Sequence, residues 1–265
     1  MHYYAGLFDA EGCVSLCPNG KFRIAIEIAN ESVPQIFQSK FGGSIHRRKR
    51  DKRKITWTWI LSSSSSQCSD FINKIGKFCL VKKSQLFSLL SYIDQTREQR
   101  RVTRKHFISL IKTYKNPTDK MITLDQSWGR EANFIEWLAG FFDGDGNITC
   151  YESADTRTGK QCFGHQLSAS NTFKNVICLI NSFYPGTIVH RRKKTNDIFT
   201  WVCFRKHEEN LVTKLLPYLR IKQRQAECFL KFISFPQKKR GCDYPIEQRI
   251  AMCNLIQEIR HFNSL

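Results

Sequence analysis

The sequence lacks the marks of a secreted, zinc-binding or membrane-spanning protein. Its 11 cysteines are an odd number and none belongs to a C-x-x-C pair, so neither a disulfide framework nor a zinc-finger spacing is indicated. No apolar run approaches the roughly 20 residues that span a bilayer, and no apolar signal-peptide core follows Met1. We therefore expect an intracellular protein with no membrane association, whose cysteines are reduced and mostly buried.

Acidic residues are scarce relative to basic ones. The 265 residues include 42 Lys and Arg against 23 Asp and Glu, which gives a formal net charge of +19, and the basic residues recur in both halves. Such a charge attracts polyanions. Nucleic acid is the favoured partner, although a merely basic protein, or one of ribosomal type, has a similar balance.

A nine-residue motif, called the repeated phrase below, occurs twice, as YAGLFDAEG at 4–12 and as LAGFFDGDG at 138–146. Further pairs follow in the same order, including HRRKR at 46–50 with HRRKK at 190–194 and VKKSQ at 81–85 with IKQRQ at 221–225. These pairs indicate a duplicated domain. We predict a first copy at 1–113, a linker at 114–133 and a second copy at 134–265.

Each copy has the pattern of a helix, two strands, a helix, two strands and further helices. The stretch KFRIAIEIA at 21–29 alternates strictly, with Phe22, Ile24 and Ile26 on one face and Arg23 and Glu27 on the other. This period of two is typical of a half-buried strand in an antiparallel sheet. Each copy is therefore predicted to carry a sheet with one polar, partly basic face.

The repeated phrase places small residues four positions apart. Gly6 is followed by Ala10, and Gly140 by Gly144, so each phrase has a stripe without large side chains on one helix face. Two such stripes allow two helices to approach backbone to backbone. The duplication thus predicts an intramolecular helix pair.

An acid ends each phrase, Glu11 before Gly12 and Asp145 before Gly146. If the helices pair along their stripes, the two carboxylates converge and repel each other unless a cation lies nearby. Oxygen ligands of this kind suit Mg²⁺. Two acids that merely cap helix ends are the alternative, but the same arrangement twice in a basic protein favours metal ligands.

These motifs resemble those of the LAGLIDADG homing endonucleases in their single-chain, two-motif form. The resemblance implies an α+β fold of two αββαββα repeats related by a pseudo-twofold axis, with both sheets forming a saddle along the DNA major groove. It also implies that Glu11 and Asp145, with the carbonyls of Ala10 and Gly144, bind Mg²⁺, for which Ca²⁺ or Mn²⁺ can substitute. The first copy departs from the family phrase at Tyr4 and at Glu11, where Glu retains the charge and reach of Asp.

The resemblance implies further site residues. A lysine near the family's active site, three residues before a glutamine, is matched by Lys82 and Lys222. The polar residue that orients the attacking water is matched, by strand parity, by Asn30 and Asn171.

The resemblance implies a monomeric, site-specific endonuclease that hydrolyses one phosphodiester in each strand of a long, asymmetric double-stranded DNA target without a protein partner. The alternatives are an RNA maturase and a non-cleaving nucleic-acid-binding protein on the same fold. An organelle, chloroplast or mitochondrion, is one candidate location. The predicted DNA contacts are Lys21, Arg23, Glu27, His46, Arg48, Lys49, Arg50, Lys54, Thr56 and Thr58 in the first copy, and Gln166, Ser168, Ser170, His190, Arg192 and Lys194 in the second.

Overall fold

The computed structural model describes residues 1–49, 55–62, 65–115, 122, 128, 131–154, 159–192, 197–236 and 243–264. Three of the predicted DNA contacts, Arg50, Lys54 and Lys194, lie outside these ranges, as does most of the predicted linker. None of the helices in the described ranges is both long and apolar enough to cross a membrane.

The first copy follows the predicted order of elements. Its elements are α1 (His2–Glu11), β1 (Gly12–Leu16), β2 (Phe22–Ile28), α2 (Ser32–Phe41), β3 (Ser44–Arg48), β4 (Thr56–Ser62), α3 (Ser65–Ile75), a 3-10 turn (Gly76–Phe78), α4 (Lys83–Ile93) and α5 (Arg97–Thr113). Antiparallel pairing joins the strands into one sheet in the order β1-β2-β4-β3.

The second copy repeats this arrangement. Its elements are α6 (Glu131–Asp145), β5 (Gly146–Ala154), β6 (Gln161–Asn171), α7 (Lys174–Phe183), β7 (Gly186–Arg192), β8 (Asp197–Cys203), α8 (Arg205–Leu215), α9 (Gln223–Ile233) and α10 (Ile246–Ser264). The sheet order β5-β6-β8-β7 matches that of the first copy. The predicted α+β fold of two αββαββα repeats is therefore confirmed.

Internal contacts divide the chain into two compact units, Met1–Gly144 and Asp145–Leu265. All of α6 except its last residue thus belongs to the first unit, together with α1. The predicted limits of the two copies stay a prediction, because they refer to the repeat in the sequence and the compact units refer to packing.

A buried tryptophan joins each sheet to the C-terminal end of a neighbouring helix, α2 in the first unit and α7 in the second. In the first unit, Trp59 of β4 is fully buried and its Nε1 donates to the carbonyl of Gly42, at 2.7 Å. In the second, the equally buried Trp201 of β8 donates to the carbonyl of Tyr184, at 2.9 Å. A buried indole N–H needs an acceptor, and in both units a backbone carbonyl at a helix end provides it. The two copies therefore share this packing contact as well as their sequence motifs.

The cysteines within the described ranges are all free. Cys68, Cys79, Cys150, Cys203 and Cys228 are buried, whereas Cys17 and Cys178 are exposed. Five of these ten cysteines are buried, so the expectation that most of them are core residues holds for only half.

Candidate functional site

Helices α1 and α6 touch backbone to backbone in the first unit. A Cβ atom added to Gly6 would collide with the carbonyl oxygen of Trp137, and one added to Gly140 would collide with the carbonyl oxygen of Tyr3. Near the other end of the pair, a Cβ on Gly144 would lie 2.5 Å from the Cβ of Ala10. The predicted helix pair along the small-residue stripes is therefore confirmed.

Each motif helix ends on its predicted acid. Glu11 is the last residue of α1 and Asp145 the last of α6, and both side chains are partly exposed. The C-terminus of a helix carries partial negative charge and unsatisfied carbonyls, so a carboxylate there is repelled unless a cation compensates it. Ala10 and Gly144 precede the two acids, and their carbonyls belong to these last turns.

The chemistry of these donors suits a hard divalent cation that keeps part of its water shell. No group of three or more His, Cys, Asp or Glu side chains in the described ranges is arranged to hold a metal by itself. Mg²⁺ commonly binds one carboxylate, backbone carbonyls and waters, and substrate phosphate oxygens complete its ligands. The donors therefore suit an open Mg²⁺ site rather than a closed site made only of protein ligands. They are Glu11 with Ala10, and Asp145 with Gly144.

Asn171 contacts the acid of its own unit. Its Nδ2 donates to Oδ2 of Asp145 at 2.6 Å, while its Oδ1 accepts from the backbone N–H of Phe173 at 2.8 Å. The second bond fixes the orientation of the amide, so Nδ2 is the atom that faces the carboxylate. One oxygen of Asp145 is thereby held in place by a neutral donor.

Asn30 lies two residues beyond the position that strand pairing matches with Asn171, so its predicted role stays a prediction. The pairs Gly12–Ile26 and Gly146–Ala169 align the two sheets, and two residues further along they equate Ile28, not Asn30, with Asn171. Oδ1 of Asn30 accepts from the backbone N–H of Ser32 at 3.0 Å, the same kind of bond that Asn171 makes with Phe173 two residues on. The connection to the next helix runs through 29–31 in the first copy and 172–173 in the second, and is therefore one residue longer in the first.

The two predicted lysines lie at matching helix starts. Lys82 is the N-cap residue of α4 and Lys222 that of α9. The glutamines three positions later, Gln85 and Gln225, are buried, and Nε2 of Gln85 donates to the carbonyl of Ile111 at 3.3 Å. Gln85 thus anchors the start of α4, from which Lys82 projects.

Asp9 is a functional candidate that the sequence analysis missed. It is completely buried, and it accepts hydrogen bonds from the backbone N–H groups of Leu80, Val81 and Lys82 at 2.6, 3.1 and 2.7 Å. Nε1 of Trp137 donates a fourth, at 2.9 Å. Burial raises the pKa of Asp9 to about 6, and the hydrogen bonds from Leu80, Lys82 and Trp137 oppose that rise.

Asp143 holds the same place in the second motif as Asp9 in the first. It is 2% exposed, and its Oδ2 accepts from the hydroxyl of Tyr3 at 2.7 Å. A signal was present in the sequence, because both phrases place an aspartate inside an otherwise apolar helical run (FDAEG and FDGDG). A charged residue repeated at a position that must be buried indicates a specific polar partner.

On the first sheet, the predicted contacts share one face around Glu27. Strand pairing sets Glu27 opposite Thr58, His46 opposite Thr58 and Arg48 opposite Thr56. Oγ1 of Thr56 donates to Glu27 at 3.0 Å, and Nη1 of Arg48 lies 3.6 Å from the same carboxylate. Arg23 lies on this face as well, while Lys21 and Lys49 are exposed just outside the strands.

Two predicted contacts on these faces are buried. Thr58 is 2% exposed and Ser168 is 5% exposed, although both point to the predicted side of their sheets. Each lies on an inner strand, where residues of two neighbouring strands flank it. A nucleic acid could therefore contact the more exposed side chains on these faces, but not Thr58 or Ser168.

On the second sheet, His190 and Arg192 lie on the wrong face for the predicted role. Ser170 pairs with Thr200, which pairs with Val189, so the face of Gln166 and Ser170 continues through Val189 and Arg191. His190 pairs with Phe199 on the opposite face, and its ring stacks on Phe199 at 4.8 Å. Arg192 lies opposite Asp197 on that same face.

The reason is one extra residue before the repeated basic run. Ile45 pairs with Trp59 and Ile188 with Trp201, but His46 follows Ile45 directly whereas Val189 separates Ile188 from His190. Because side chains alternate with a period of two, one added residue moves the whole run to the other face. Arg191 therefore takes the place on the second sheet that Arg48 has on the first.

Comparison with known proteins identifies the family. The family model for LAGLIDADG endonucleases matches residues 138–238. The chain is 30% identical over 138 residues to the DNA endonuclease I-CreI of Chlamydomonas reinhardtii, a match that covers 49% of this chain and 78% of that protein. It is 21% identical over 212 residues to the intron-encoded RNA maturase bI4 of Saccharomyces cerevisiae; the match covers 79% of this chain but only 28% of the maturase.

Solved structures share the fold over almost the whole length. I-SmaMI, bound to uncleaved DNA with calcium ions, matches with a TM-score of 0.66 at 14% identity, covering 99% of this chain and 97% of that one. The LAGLIDADG homing endonuclease I-GzeII, in complex with its DNA target, matches with a TM-score of 0.67 at 15% identity, covering 97% and 96%. The solved structures show the shared fold, and the family model together with the 30% identity to I-CreI shows that the chain belongs to the LAGLIDADG homing endonuclease family.

Proposed function

We propose that this protein is a site-specific endonuclease that cuts both strands of a long, asymmetric DNA target in the presence of a divalent metal ion. The observation that carries the proposal is the retained acid at the end of each motif helix, with Asp145 held by Asn171 at 2.6 Å. Similar proteins named as DNA endonucleases, and a net charge of +19, support the same substrate.

In the proposed reaction, Glu11 and Asp145 each hold a divalent ion, Mg²⁺ under ordinary conditions. A bound ion at each acid would neutralise charge on the scissile phosphate and lower the pKa of the attacking water. Asn171 keeps the Asp145 carboxylate in one orientation. Lys82 and Lys222, at the starts of α4 and α9, supply positive charge for the phosphate.

The sheet faces are proposed to read the bases. On the inner strand β2 of the first sheet, Arg23 and Glu27 are charged, whereas Gln166 and Ser170 at the matching positions of β6 are neutral. Arg48 is matched by Arg191, so the two faces share an arginine there but differ on the inner strand. Charged and neutral side chains at matching positions select different base edges in the major groove. We therefore propose a non-palindromic target that is bound by a monomer without a protein partner.

The test is a comparison of Glu11→Gln and Asp145→Asn with the wild type. Each variant is expected to lose at least about 100-fold in double-strand cleavage with Mg²⁺, because a metal's charge stabilisation is worth several kcal/mol. Binding of the target in Ca²⁺ should stay within about threefold. Asp94→Asn is the matched control, since Asp94 is also an acid at a helix C-terminus and its side chain is exposed. Normal cleavage by either site variant would refute the assignment.

The target for this test is selected from a randomised DNA library by binding in Ca²⁺. Selection of a perfectly palindromic optimum, or an obligate dimer in light scattering, would contradict the monomeric, asymmetric reading.

A second candidate function is binding of a folded intron RNA. The aligned maturase supports it, because the match covers 79% of this chain. Competition of a structured intron RNA against the selected duplex, followed by a splicing assay, separates the two functions. The intron-encoded relative and the free thiols also favour an intracellular location, and we propose an organelle.

A further inference from the structure

Asp9 joins the first motif helix to the loop in front of α4. Three consecutive backbone N–H groups, those of Leu80, Val81 and Lys82, point at its carboxylate. Lys82 is the N-cap of α4, so the carboxylate also lies where the helix presents partial positive charge. Hydrogen bonds to an ionised acceptor are about twice as strong as neutral ones, so this junction is rigid.

The position of Asp9 in the chain gives the junction a consequence for the site. Asp9 precedes Glu11 by two residues in the same helix, and its Oδ1 lies 2.7 Å from the backbone nitrogen of Lys82. The backbone from which the Lys82 side chain projects is therefore fixed relative to the turn that ends on Glu11. Asp9 itself is completely buried and cannot reach a substrate.

We propose that Asp9 is a positioning residue that holds Lys82 in register with Glu11, so that its loss impairs one of the two strand cleavages and spares the other. This inference rests on the proposed function, because it assumes that Lys82 serves one scissile phosphate. It goes beyond that function by assigning a role to a residue that touches neither metal nor DNA.

The experiment measures the nicking rate of each strand separately, with the two strands of the selected duplex labelled differently. In Asp9→Asn the amide keeps the size of the side chain, but its Nδ2 is a donor that faces backbone donors. We expect one strand to be nicked at least tenfold more slowly, the other to change less than twofold, and target binding in Ca²⁺ to be retained. Lys82→Ala should slow the same strand.

A double-variant cycle distinguishes positioning from a general loss of stability. If Asp9 acts through Lys82, Asp9→Asn combined with Lys82→Ala should be no slower on the affected strand than Lys82→Ala alone. Trp137→Phe is the control, because it removes one donor to Asp9 but leaves the three backbone bonds in place. It should lower stability without any strand bias.

Should Asp9→Asn fail to fold, Asp9→Glu keeps the charge and displaces the carboxylate by one methylene, and it should bias the same strand. Equal slowing of both strands, or independent multiplication of the Asp9 and Lys82 effects, would overturn the positioning role. A wild-type protein that binds the target but nicks neither strand would instead overturn the proposed function, and the inference with it.

Discussion

The indole Nε1 of Trp137 donates a hydrogen bond to the buried carboxylate of Asp9 over 2.9 Å. The relationship is reciprocated, since the hydroxyl of Tyr3 on α1 donates to the buried carboxylate of Asp143 on α6 over 2.7 Å. Each motif helix therefore supplies an aromatic donor to the acid of the other. The pairing of the helices and the burial of two acids depend on the same four side chains.

Removal of either aromatic donor is expected to destabilise the protein without abolishing its fold. Trp137→Phe and Tyr3→Phe each leave a buried carboxylate short of one partner, which costs about 1–3 kcal/mol. Urea unfolding at pH 7 measures the loss. Tyr151→Phe, at a tyrosine that is 39% exposed, is the control and should stay within about 0.5 kcal/mol. Equal stability of all three variants would show that the two donors contribute nothing.

The glycines of the motif are expected to tolerate no side chain. Gly6→Ala and Gly140→Ala each direct a methyl group into a backbone carbonyl of the facing helix, which can yield only if the helices separate. We expect a loss of at least about 3 kcal/mol, despite the gain of roughly 1 kcal/mol that alanine normally brings to a helix. Ser109→Ala on the exposed face of α5 is the control. Neutral glycine variants would contradict the close approach of α1 and α6.

The helix pair and both sheets could be predicted because each has a signal that survives in local sequence. Gly6 and Gly140 recur in matching phrases, and the alternation from Phe22 to Glu27 shows a strand in a single copy. Such signals need no knowledge of which strands pair. The local sequence is therefore sufficient to predict the fold and the position of the two acids.

Similar residues in the two copies do not always occupy equivalent positions in the two sheets. His190 and Arg192 match His46 and Arg48 in letters, but Val189 shifts the register of β7 by one residue. Asn30 likewise matches Asn171 in residue type, but strand pairing equates Ile28 with Asn171. Strand register is set by long-range pairing, which a repeated motif does not encode.

The thiols should divide into reactive and protected groups. Burial raises the pKa of Cys68 to about 11 from its usual 9.0, and burial with the nearby charge of Glu208 raises that of Cys203 to about 12. At pH 8 the fraction of each of these thiols that is present as thiolate is therefore at least about 100-fold lower than for an unperturbed cysteine. Iodoacetamide should therefore modify Cys17 and Cys178, which are exposed, long before the other two. Peptide mass spectrometry reads the order, and equal labelling of all four would contradict it.

The same shifts make a prediction for stability at high pH. A folded pKa above the unfolded value means that the native state binds the proton more tightly, so the contribution is complete below about pH 9 and is lost as the pH rises through about 11 to 12. Cys68→Ala and Cys203→Ala should unfold with a flatter dependence on pH in that window. A wild-type curve parallel to theirs would show that burial does not shift these thiols.

Arg191 and Arg192 provide the sharpest test of the second sheet. Arg191 shares a face with Ser170 and Thr200, whereas Arg192 points to the face of Phe199 and Trp201. Loss of a base contact made by an arginine costs roughly 1–3 kcal/mol, chiefly at one position of the target. Arg191→Ala should therefore relax specificity at one base pair, as Arg48→Ala should on the first sheet, whereas Arg192→Ala should leave the pattern of base preference unchanged. Binding of each variant to every single-base change of the target measures the pattern, and a relaxed position in Arg192→Ala alone would mean that the strand turns the other way when DNA binds.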